Sequence, residues 1–96
     1  MKIGKFRIID SFKITGRGLV ARGEIIEGIV KVGSFATIRI NSQDIVLHIR
    51  GVEYIDNIST KQSWVGLILI SNNEDEQKNI QNIKLEEQIV DIFDNT

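Results

Sequence analysis

Ninety-six residues with a formal net charge of −1 suit one small domain with a single core. The absence of cysteine excludes a disulfide framework and any thiolate metal site. No apolar run is long enough for a membrane-spanning helix and no signal peptide is recognisable, so the expected location is the cytoplasm.

Met1 to Lys5 reads as a loosely held start. Phe6 to Ile14 is the first expected strand, with Phe6, Ile8, Phe12 and Ile14 on one face. Gly16-Arg17-Gly18 then forms a tight corner, since glycine enters positive φ without steric cost. Leu19 to Ile26 alternates Leu19, Ala21, Gly23 and Ile25 against Arg22 and Glu24, the period of a half-buried strand. Glu27-Gly28 turns the chain into a short strand over Ile29 to Val32, and Val32-Gly33 turns it again.

Ser34 to Ile40 is the next strand, although Phe35 fits its alternation poorly. Asn41-Ser42 is a turn signal, and Gln43 to Tyr54 runs as the longest strand. Asp56 to Lys61 is polar and breaks the pattern. Trp64 to Ile70 is apolar on both faces, as in a strand buried on both sides. Ser71 to Glu87 is acidic, with Ile80 and Ile83 spaced for one face of a helical turn. Some of the outward face of the Trp64 strand is expected to lie under this long connection, through Ile80, Ile83 and Leu85. Gln88 to Phe93 closes the set, and Asp94 to Thr96 is a frayed tail. Short strands with one long late connection imply a small antiparallel barrel, occupying residues 1–96 as a single domain.

The order Asp10-x-Phe12-x-Ile14-x-Gly16-Arg17-Gly18-x-Val20, followed by Glu27-Gly28-Ile29-Val30-Lys31-Val32-Gly33, resembles the second, β-barrel domain of elongation factor Tu and related translational GTPases. Gly51-Val52-Glu53-Tyr54 resembles a strand end of that domain. Val65 to Leu69 and Gln88 to Val90 resemble its last two strands more loosely. The resemblance spans about residues 6 to 93. It implies an all-β, closed six-stranded Greek-key barrel of the translation-protein type.

That family also implies a site. Glu53 matches a glutamate beside the terminal base of aminoacylated tRNA, Val20 a valine of the same pocket, and Ile68 a pocket leucine. Two positions depart from the pattern: Asp56 replaces an arginine and Arg22 a threonine, so a cation near the bound phosphate becomes an anion. Without a Gly-x-x-x-x-Gly-Lys-Ser/Thr loop, the chain by itself is expected to bind no GTP.

The residues point to binding rather than catalysis. His48 is the single histidine and alternates with Val46 and Arg50 as a strand-face residue, so neither a metal centre nor a nucleophile–histidine pair is expected. No cofactor is implied, and the chain reads as a non-enzyme.

Charge is divided, with +5 on residues 1–50 and −6 on residues 51–96. The basic half offers Arg17, Arg22 and Arg50 as candidate RNA contacts, though few aromatics are present for base stacking. For Arg17 the favoured reading is a structural corner whose guanidinium bonds carbonyls, ahead of an exposed cation for phosphate. Trp64, Ile68 and Ile70 form a candidate protein interface, for a homodimer or a hetero-partner, because tryptophan often anchors interfaces. A protein partner in a translation-related setting is the leading expectation, and an RNA-binding module contacting the tRNA 3′ end or ribosomal RNA is the alternative.

Overall fold

The computed structural model describes residues 1–14, 18–57, 62–80 and 83–94. The Gly16-Arg17 part of the expected corner lies outside them. Among the described residues six strands form: β1 (Lys2–Ile14), β2 (Gly18–Gly28), β3 (Phe35–Ile40), β4 (Gln43–Asn57), β5 (Gln62–Ile70) and β6 (Gln88–Phe93), with one helix, α1 (Glu74–Ile80). They close into an antiparallel barrel in the order β1-β2-β5-β4-β3-β6. No described helix is long and apolar enough to cross a membrane.

Alternation places one row of each strand inside. Phe6, Ile8, Leu19, Ala21, Ile38, Leu47, Ile49, Leu67, Leu69 and Ile92 form the core, all essentially inaccessible. The expected alternation of β2 holds, with Leu19 and Ala21 inside and Arg22 and Glu24 outside. The β3–β4 hairpin also forms as expected. Ile40 pairs with Gln43, and Asn41 and Ser42 take φ of 52° and 66°. Two positive φ angles in a two-residue loop match the right-handed twist of the flanking strands.

The structure corrects the first strand twice. Its start is not loose, because Lys2 and Gly4 already pair with β6. The chain also changes face within it. Ile8 pairs with Gly23 and Asp10 with Arg22, so Ile9 is an extra residue. Such a bulge shifts the two-residue period by one. Ser11 is consequently buried, and Phe12 is 42% exposed instead of sharing a face with Phe6 and Ile8.

Ile29 to Val32 is not a strand. Strands β2 and β3 are not neighbours in the barrel, so this stretch crosses its end rather than pairing along its wall. Ile29 donates to the Ile3 carbonyl (3.0 Å) and Gly33 to the Ile49 carbonyl (2.9 Å), while Ser34 accepts from Ile49 (2.9 Å). Only Val30 of this segment packs against the core.

The connection after β5 closes the barrel at an end. Asn73 caps α1, its Oδ1 accepting from the Glu76 amide at 3.1 Å, and acidic residues fill the first turn. Ile80 is 1% exposed and joins the core cluster with Leu85, while Ile83 packs against it. The Leu85 amide donates to Ser11 Oγ at 2.7 Å. These apolar residues therefore complete the barrel interior and do not serve as a cover for the outer face of the Trp64 strand.

Gly18 and Gly23 are among the positions where only glycine fits. Gly18 has φ of 102°, and a Cβ on Gly23 would lie 1.7 Å from the Arg7 carbonyl oxygen. Gly18→Val is expected to destabilise by about 1–3 kcal/mol through backbone strain. Gly23→Ala should cost about 3 kcal/mol, because the clash is with main chain that cannot rotate away. Urea denaturation checks both, and an unchanged midpoint for either variant contradicts the assigned backbone.

Candidate outer-face binding site

Strands β2, β5 and β4 lie side by side, and their outward rows build one continuous surface. In the first row Phe12 faces Val20, Val20 faces Ile68, and Ile68 faces Gly51. In the second, Asp10 faces Arg22, Arg22 faces Gly66, and Gly66 faces Glu53. The Val20, Glu53 and Ile68 positions are therefore on one face of three adjacent strands, with Val20 directly opposite Ile68.

The first row is an apolar shelf. Val20 and Ile68 are 3% and 6% exposed, yet neither belongs to the core cluster that their strand neighbours form. Glycine at 51 makes this possible: a Cβ there would stand 2.9 Å from Ile68 Cδ1, so the isoleucine lies across the bare backbone. Phe12 extends the shelf toward solvent.

Arg22 is held from two sides. Its Nε donates to Asp10 Oδ1 at 2.9 Å and its Nη2 to Asp10 Oδ2 at 2.6 Å, a bidentate pair. Its Cζ lies 5.2 Å from the centroid of the Trp64 ring, within cation–π range. The ion pair is partly solvated, with side chains 34% and 49% exposed, so it contributes no more than about 1 kcal/mol. Its larger effect is to hold the guanidinium over the indole.

The expected RNA contacts are not assembled into one patch. Arg22 is engaged by Asp10, and Arg50 sits exposed at the bulge between Ile49 and Gly51, separated from β2 by β5. Arg17 lies outside the described residues. Trp64, Ile68 and Ile70 all stand on the outward row of β5 but do not form an open patch, since Ile68 is buried and Trp64 and Ile70 are only partly exposed. Phe12 and Asp10 belong to the site and were not singled out from sequence, where the first strand showed no sign of its bulge. His48 is a strand-face residue, edge-on to Phe35 (ring centroids 4.5 Å apart) and 2.7 Å from Asn72 Nδ2 through Nε2. Among the described residues no group of three His, Cys, Asp or Glu side chains converges.

No protein-family model, no curated protein and no solved structure matches the chain.

The stack predicts a fluorescence signature, because Trp64 is the single tryptophan. Asp10→Asn and Arg22→Ala should each shift its emission to the red and raise quenching by acrylamide, with a stability loss of about 1 kcal/mol or less. Unchanged emission in both variants contradicts the stack.

Proposed function

We propose that this chain is a non-enzymatic binding module on a Greek-key barrel of the translation-protein type, and that the Phe12–Val20–Ile68 shelf receives a protein partner in a translation-related setting. The resemblance of residues 10 to 33 and 51 to 54 to the second domain of elongation factor Tu supports the setting. One observation favours protein over RNA at this face. Its cation, Arg22, already has a bidentate carboxylate and an aromatic ring as partners. A phosphate binding there has to displace Asp10, whereas an apolar side chain can pack on the 42% exposed Phe12, the accessible end of a row whose Val20 and Ile68 are buried, and leave that ion pair intact. No step in this reading needs a nucleotide, metal or cofactor.

Two measurements test the reading. Anisotropy titrations with a single-stranded RNA ending in CCA and with a duplex RNA are expected to show weak binding. Affinity should be similar for both and fall steeply from about 50 to 200 mM salt. A photo-crosslinker replacing Phe12 is expected to trap a discrete protein adduct that survives nuclease and disappears when Val20→Lys is added. Tight binding that distinguishes aminoacylated from uncharged tRNA overturns the assignment in favour of the RNA reading.

A further inference from the structure

The Phe12–Val20–Ile68 shelf lies between two strand irregularities, and each sets a charged residue beside it. On β1 the bulge at Ile9 brings Asp10 to the outer face, opposite Arg22. On β4 the pairing jumps from Ile49–Leu69 to Gly51–Ile68. Arg50 is therefore an extra residue and stands with Gly51 opposite Ile68, the two-against-one count of a bulge. Gly51, with no side chain, takes the place against the isoleucine. Arg50 is left exposed at the rim, while Ile49 before it is in the core.

The two charges differ in what balances them. Asp10 accepts both Arg22 bonds, at 2.9 and 2.6 Å, and Arg22 also lies over Trp64. Glu53, the acid of the neighbouring row, has an interaction of its own. Lys13 follows Phe12 but faces Leu19 of the core row, not the shelf. Among the described residues, Arg50 has neither an ion pair nor a side-chain hydrogen bond. The uncompensated charge of the shelf is thus a cation, at the end away from Phe12. Strands β1, β2, β5 and β4 stand in that order, so Phe12 and Arg50 are three strand spacings apart, about 14 Å along the wall. An extended segment covers that span in about four residues.

We infer that the shelf takes a protein segment carrying an apolar side chain and, about four residues away, a carboxylate. The apolar group packs on Phe12 and the carboxylate pairs with Arg50. This rests on the shelf being the docking face, and Arg50 adds its polarity. A segment lying the other way round would bring its carboxylate to the Asp10 end, where it meets a like charge.

The test is an NMR titration of the isotopically labelled intact chain with defined peptides. The probes are acetyl-Phe-Ser-Ser-Ser-Glu-amide, the same peptide ending in Gln, and the same peptide with Ser in place of Phe. The first should shift the amides of Val20, Ile68 and Gly51 and bind about threefold tighter than its Gln counterpart, the range of an exposed ion pair. Arg50→Gln should erase that preference and leave circular dichroism unchanged. Equal affinity for the Glu and Gln peptides, or a preference that survives Arg50→Gln, overturns the inference and leaves the shelf reading standing. Shelf shifts that ignore the Phe, or none up to about 10 mM peptide, remove the shelf reading and the inference with it. An RNA ending in CCA that shifts the same amides, and loses more affinity than the peptide in Arg50→Gln, makes Arg50 a phosphate contact and overturns the carboxylate assignment.

Discussion

Closure of the sheet is the constraint from which the other features follow. Isoleucine-rich strands in an open sheet present unpaired edges, and closing the sheet removes them wherever the wall is continuous. The seam between β3 and β6 is the thinnest part of that wall, with three paired positions against ten between β1 and β2. Beyond Thr37 the ladder is continued by a side chain: Gln88 Oε1 accepts from the Arg39 amide at 2.8 Å and its Nε2 donates to the Arg39 carbonyl at 3.0 Å. Below this seam α1 and Leu85 fill the barrel end. Closure and plugging are thus one solution, since a barrel this small has too little interior to tolerate an unfilled end.

The sequence was most readable where one physical signal acted alone. β6 was placed at Gln88–Phe93, where the acidic connection gives way to a short apolar run that resembles the family's last strand. Asn41-Ser42 announced a turn because both residue types tolerate positive φ. The Val20, Glu53 and Ile68 cluster came from resemblance, and the register brings these positions onto one face. Reading failed where pairing, rather than composition, decides conformation. Ile29 to Val32 is as β-prone as any strand in the chain, but no neighbouring strand is available to it. Ile80, Ile83 and Leu85 were expected over the outer face of the Trp64 strand and instead join or pack against the core, because where the barrel ends is not encoded in alternation.

The bulge at Ile9 links the core to the candidate site. Without an extra residue, the period that buries Phe6 and Ile8 would continue through Asp10 and Phe12, driving a carboxylate into an apolar interior at a cost of several kcal/mol. The shift by one residue sends Asp10 outward, directly opposite Arg22, and Phe12 outward, opposite Val20. It also turns Ser11 inward, where its hydroxyl accepts the Leu85 amide and fixes the segment that closes the barrel end. A single irregularity therefore supplies the carboxylate that orients Arg22 over Trp64, the exposed end of the apolar shelf, and the polar anchor of the plug. Restoring regular alternation in β1 would dismantle all three together, which is why the site belongs to the barrel itself rather than to a loop added to it.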